Sequence, residues 1–224
     1  MRVTRTGLAA SAVWVVAGLA WALTGLPFWA VVWIVAVAAV GAWVPRIADQ
    51  VSLARAYLAA PALYFALHQD FGTLAVVVAL AGLSDLVDGT IARRFDQPSQ
   101  FGGGLDPVVD GVFTGGLVIG LAFGGTVPLW LALVIIARYL LPALAGGLLL
   151  AMGRRPELRH TLTGQVSTAL ILVLVGGVCL FRALQQDPGN LVPAAEVVIP
   201  VATIATFVHL GFSLRGRTRV GQTA

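Results

Sequence analysis

Eight apolar stretches, each near the length of a bilayer-crossing helix, alternate with short polar interruptions along the 224 residues. They run at 7–23, 28–44, 52–68, 72–92, 105–123, 127–151, 161–181 and 193–213. An α-helix rises about 1.5 Å per residue, so roughly 20 apolar residues bridge a hydrocarbon core, and each stretch predicts a transmembrane helix. Turn-forming residues separate them, as in TGLP at 24–27, GGTVP at 124–128 and QDPGN at 186–190. The expected fold is all-α and integral to a membrane.

Composition supports that class and excludes a soluble domain: 58% of residues are hydrophobic, 11% are charged, and mean hydropathy is +0.92. All 14 basic residues are arginine. If the chain alternates across the membrane, Arg2, Arg5, Arg46, Arg93, Arg94, Arg154, Arg155, Arg159, Arg215, Arg217 and Arg219 fall on one side, and only Arg182 marks the other. The positive-inside rule then predicts eight crossings of the cytoplasmic membrane with both termini cytoplasmic. The pI of 10.2 reflects this orientation, so no nucleic-acid partner is expected. Arg2 and Arg5, the first apolar run and Ala20-Trp21-Ala22 also have the form of a cleavable signal peptide. Cys179, the single cysteine, lies in an apolar run and reads as a packing residue.

The charges that matter lie between Asp85 and Asp110, where the chain carries DLVDGTIARRFDQPSQFGGGLDPVVD. Asp85 and Asp88 are spaced to share one helix face, as are Asp106 and Asp110. Facing pairs of carboxylates make an oxygen-rich cage suited to a hard divalent cation, or to two of them close together. Pro98 and Gly102–Gly104 predict a turn that returns the fifth helix against the fourth. A purely structural cluster pairing with Arg93 and Arg94 is the weaker reading, because burying four acids in a membrane costs about 2.5–3.5 kcal/mol each on insertion scales.

The string D-x2-D-G-x2-A-R-x8-G-x3-D-x3-D is filled by Asp85, Asp88, Gly89, Ala92, Arg93, Gly102, Asp106 and Asp110. It resembles the signature of the CDP-alcohol phosphotransferases at every specified position, nearest the phosphatidylglycerophosphate and cardiolipin synthase branch. The resemblance implies a phospholipid-synthesising enzyme in which an alcohol attacks CDP-diacylglycerol and CMP leaves. It implies Asp85, Asp88, Asp106 and Asp110 as ligands of two Mg2+ or Mn2+ ions, with Asp110 also the catalytic base. Gly89, Ala92, Arg93 and Gly102 are implied on the nucleotide side. Asp49, Ser52 and Arg55 resemble the family's N-x2-T-x2-R element, which adds Ser52 to the nucleotide-binding set; a helix cap at Ser52 and an interfacial anchor at Arg55 is the competing expectation. Gly111 follows Asp110 where the branch often has lysine.

The resemblance further implies a homodimer and a six-helix core. The first two helices then form an additional hairpin, giving a division into 1–48 and 49–224.

Arg138 lies within LWLALVIIARYLLPAL with no acid in its own run, so it is expected to face the protein interior. Its expected partner is a carboxylate or the phosphate of the acceptor, with Arg154 and Arg155 closing over the same phosphate. His160 and Gln165 faintly resemble a G-K-x-K-T element whose lysines are missing, and His209 reads as a core or interface histidine. The best acceptor is sn-glycerol 3-phosphate; phosphatidylglycerol, as in cardiolipin synthase, and inositol phosphate use the same chemistry. A cation- or proton-coupled transporter is the alternative of another class, although the acids gather at one face and no internal repeat is evident.

Overall fold

The computed structural model describes residues 3–23, 25, 27–95, 100–151 and 162–220, and within them excludes the side chains at 85, 86, 88–95, 100–104, 106, 146–151, 162, 163, 165 and 210–220. The described residues form eight helices: α1 Arg5–Ala22, α2 Phe28–Gly41, α3 Ile47–Leu67, α4 Phe71–Phe95, α5 Gln100–Phe123, α6 Leu129–Ala151, α7 Leu162–Ala183 and α8 Leu191–Val220. Each predicted apolar stretch coincides with one of these helices, and there is no strand among the described residues.

Two boundaries differ instructively from expectation. The third helix begins at Ile47 and the fifth at Gln100, each five residues before its apolar stretch. Gly102–Gly104 are therefore helical rather than part of the turn, and the connection shrinks to 96–99, which lies outside the described residues. Glycine costs about 1 kcal/mol relative to alanine in a helix. Where water is scarce, however, a backbone N–H without a helical partner costs several kcal/mol, so the helix continues.

Three helical spans are long and apolar enough to cross a membrane: Arg5–Ala22, Val166–Ala183 and Leu191–His209. Large apolar side chains such as Val13, Val16, Phe28, Val173, Val197 and Val201 point outward. That distribution suits contact with lipid and marks a multi-pass membrane protein.

The chain forms two compact units, Met1–Thr126 and Val127–Ala224. In the first, α3 is the central support. Among the described residues both α4 and α5 pack on α3. The α3–α5 contact is the closer one because α5 places glycine every fourth residue along it. A Cβ added at Gly116, Gly120 or Gly124 would lie 2.8, 2.6 or 2.6 Å from the carbonyl oxygens of Ala59, Leu63 and Ala66 respectively. Small residues at this spacing let two membrane helices approach backbone to backbone.

The α1–α2 hairpin packs on α3 as well. The Ser11 hydroxyl donates to the Ala38 carbonyl at 2.8 Å, and Trp14 stacks on Tyr57 with ring centroids 4.6 Å apart. Trp33 donates its indole N–H to the Ala56 carbonyl at 2.8 Å. Ile34, Val37 and Val44 share one apolar core with Leu53, Ala60 and Val109, so the hairpin reaches the beginning of α5 through that core.

In the second unit α8 packs on both α6 and α7. Leu131, Ile135, Ile171, Val178 and Ile199 are buried there, and Cys179 is a buried free thiol, as its apolar setting predicts.

Candidate active site

The first turns of α3 carry polarity inward. Asp49, Gln50, Ser52 and Arg55 are all buried, although a helix beginning at the edge of an apolar protein has open surface available. Asp49 lies in the first turn, where the positive end of the helix dipole favours a carboxylate. Ser52 does not cap the helix: the N-cap position is Arg46, and the Ser52 hydroxyl donates to the Ala48 carbonyl at 3.3 Å. Nor is Arg55 an interfacial anchor, since it is 4% exposed. Its Nη1 lies 2.6 Å from Oδ1 of Asp110 on α5.

This ion pair joins two separate parts of the sequence, the upstream D-x2-S-x2-R element and the last carboxylate of the aspartate string. Its two members differ in access, with the Arg55 side chain 5% exposed and that of Asp110 34% exposed.

Asp85, Asp88, Gly89, Ala92 and Arg93 lie on α4, and Gly102, Asp106 and Asp110 on α5. Their helical backbones keep Asp85 with Asp88, and Asp106 with Asp110, on common faces. Of the four aspartates Asp110 has a described side chain; the side chains of Asp85, Asp88, Asp106 and Arg93 lie outside the described residues. Among the described residues no three His, Cys, Asp or Glu side chains gather to hold a metal ion; Asp110 contributes a hard carboxylate, the donor type that suits a hard divalent cation rather than a thiophilic one.

Residues 45–209 match the family model described as CDP-alcohol phosphatidyltransferase. The chain belongs to that family. The family match begins just before α3 and ends in α8, leaving α1 and α2 outside it. Among similar proteins, the probable phosphatidylglycerophosphate synthase of Mycobacterium tuberculosis is 30% identical over 152 residues, 66% of this chain and 69% of that protein. The cardiolipin synthase (CMP-forming) of Streptomyces coelicolor is 39% identical over 88 residues, 39% of this chain and 41% of that protein. Its human counterpart is 38% identical over 93 residues, 41% of this chain and 31% of that protein. The chain thus spans less than half the length of these cardiolipin synthases. No solved structure matches.

In the second unit of this CDP-alcohol phosphatidyltransferase family member, Arg138 is buried, as an arginine within an apolar helix must be unless it reaches the interface. Its Nη2 donates to the Gly164 carbonyl at 2.8 Å and the Thr168 hydroxyl oxygen at 3.1 Å, tying α6 to α7. The guanidinium also lies 5.3 Å from the centroid of the adjacent Tyr139 ring. Gly164 and Thr168 were not anticipated. The available signal was the need of an intramembrane arginine for polar partners, which a threonine hydroxyl and the glycine carbonyl four residues before it supply. Arg154, Arg155 and His160 lie outside the described residues, as does the side chain of Gln165. His209 is exposed on α8 and is therefore not a core histidine.

Proposed function

We propose that the protein transfers a phosphatidyl group from CDP-diacylglycerol to an alcohol, with sn-glycerol 3-phosphate as acceptor, and releases CMP. The observation that carries this reading is the complete aspartate string on two consecutive helices, with its fourth carboxylate, Asp110, held by the buried Arg55. Asp110 accepts the proton of the acceptor hydroxyl. That oxygen forms a bond to the phosphorus carrying diacylglycerol as the bond from phosphorus to the CMP oxygen breaks, and the electron pair leaves with CMP.

Asp85, Asp88, Asp106 and Asp110 would hold two Mg2+ or Mn2+ ions, which neutralise phosphate oxygens when bound. Gly89, Ala92 and Gly102 leave room for the cytidine, with Arg93 and Ser52 on the nucleotide side. Arg138, Arg154 and Arg155 supply positive charge for the acceptor phosphate. In the same reading residues 1–48 are an added hairpin on a six-helix domain at 49–224. Eight crossings place both termini and the site at the cytoplasmic face, and the protein works as a homodimer. The start of the family match at residue 45 and the one-sided arginines support this layout.

The phosphatidylglycerophosphate synthase match favours glycerol 3-phosphate because it covers 69% of that relative. Phosphatidylglycerol is the second reading, favoured by the higher identity, 39%, of a cardiolipin synthase over a shorter stretch. The deciding assay is CMP release by purified protein given CDP-diacylglycerol and Mg2+, with glycerol 3-phosphate, phosphatidylglycerol and inositol phosphate tested separately. Release with one acceptor names the product lipid; no release with any of them ends the phosphatidyltransferase reading for these alcohols.

Arg138→Ala is expected to raise the acceptor KM about 10-fold or more, because a hydrogen bond to a charged group contributes about 1.5–3 kcal/mol. Donor dependence should change little. A lowered thermal midpoint with an unchanged acceptor KM would instead make Arg138 a tie between α6 and α7 alone.

A further inference from the structure

Arg55 belongs to an element whose resemblance points to the nucleotide, yet its side chain is engaged with the carboxylate assigned as the base. We propose that Arg55 is a positioning residue for Asp110: from the buried side it holds in place the carboxylate that takes the acceptor proton. The proposal rests on the phosphatidyltransferase reading and deepens it.

Three observations carry it. First, the contact is short, 2.6 Å, and asymmetric in burial, so the arginine has an interior seat from which it restrains a carboxylate that is one-third exposed. A charge-assisted bond of this length restrains where the carboxylate sits.

Second, α3 is held on both sides of Arg55. Gln50 donates from Nε2 to the carbonyls of Gly41 at 2.6 Å and Val44 at 2.9 Å. One residue beyond Arg55, the Ala56 carbonyl accepts from Trp33 at 2.8 Å. Both anchors come from the α1–α2 hairpin and the link that follows it, or bond to them. A segment outside the family match at 45–209 therefore fixes the backbone from which Arg55 projects.

Third, α5 has little freedom to slide. Val109, the neighbour of Asp110, is buried in the core shared with the hairpin, and Gly116, Gly120 and Gly124 set α5 directly against α3. Backbone packing thus sets the distance between the two Cα atoms, leaving the ion pair to restrain the carboxylate. The expected catalytic contribution is of the kind that follows from correct placement of a reacting group, where a misplacement of about 1 Å costs about 100-fold.

The test compares wild type, Arg55→Gln and Arg55→Lys, each as the full chain in lipid nanodiscs, by CMP release at saturating donor and acceptor and by equilibrium binding of CDP. A positioning role predicts that Arg55→Gln lowers kcat about 100-fold while the Kd for CDP changes less than about threefold, and that lysine restores at least part of the rate. A nucleotide contact predicts the reverse, a weakened Kd for CDP with kcat preserved at saturation, and that result overturns the proposal.

Thermal midpoints of Arg55→Gln, Asp110→Asn and the double variant give a readout independent of turnover. Coupled residues should show a double variant no less stable than Asp110→Asn alone, whereas additive losses also overturn the proposal. If Arg55→Gln does not fold, Arg55→Lys decides through the same comparison of kcat with CDP binding. Absence of CMP release by wild type would end the underlying reading, while the stability cycle would still report on the pair.

Discussion

Asp110→Asn is expected to lower CMP release about 10²–10⁴-fold while leaving CDP binding nearly intact. The lower figure is the ordinary contribution of a positioned general base, and the upper is its usual ceiling. Asparagine keeps the shape of the side chain and one carbonyl oxygen, so it preserves much of the local packing and part of any cation ligation. It removes the negative charge that accepts a proton.

The same substitution leaves the buried Arg55 guanidinium facing a neutral amide, so a fall in thermal stability should accompany the loss of rate. Asp110 is one-third exposed, which lets water relieve part of that cost, so the variant should fold. Measuring turnover and CDP affinity on the same preparation separates the effects. Wild-type turnover by Asp110→Asn would remove Asp110 from the role of base, whereas loss of both turnover and CDP affinity would assign it to binding.

The helices were readable from hydropathy because a chain surrounded by lipid must satisfy its backbone hydrogen bonds internally. The misplaced boundaries have one cause. At the start of α3, Asp49, Gln50, Ser52 and Arg55 interrupt the apolar pattern, and at the start of α5 Gly102–Gly104 and Asp106 do the same, so the apolar runs begin later than the helices. Residues placed there for chemistry or close packing hide the helix that carries them.

The aspartate spacing was likewise legible, since it is local and repeats at helical intervals. The Arg55–Asp110 pair was not, because nothing within either segment says which helix faces which. Its signal lay farther along, in Gly116, Gly120 and Gly124, whose spacing marks a face of close approach. The partner face on α3 becomes evident only once the carbonyls of Ala59, Leu63 and Ala66 are seen against it. Arg138 shows the same division: its burial followed from its charge, whereas Gly164 and Thr168 as partners required the fold.

That dependence makes Gly120→Leu the most damaging substitution expected outside the aspartates. Even a Cβ there would lie 2.6 Å from the Leu63 carbonyl oxygen and 2.7 Å from Ala66 Cβ, and both neighbours belong to the helix face itself. Neither is a flexible side-chain end that can swing aside. Overpacking of a core ordinarily costs about 1–3 kcal/mol, and the obstruction here is partly backbone, so relief requires α3 and α5 to separate. Separation withdraws Asp110 from Arg55, so the loss should appear as a lower thermal midpoint together with lost turnover.

Gly82→Ala is the matched control. It lies in α4, where an added Cβ meets nothing within 4 Å, and alanine favours the helix by about 1 kcal/mol over glycine. The control should therefore keep activity and match or exceed wild-type stability. If Gly120→Leu behaved like Gly82→Ala, the close α3–α5 contact would not be what holds the ion pair. If Gly120→Leu folded normally but lost turnover alone, the contact would act by setting the distance between Arg55 and Asp110 rather than by supporting the unit as a whole.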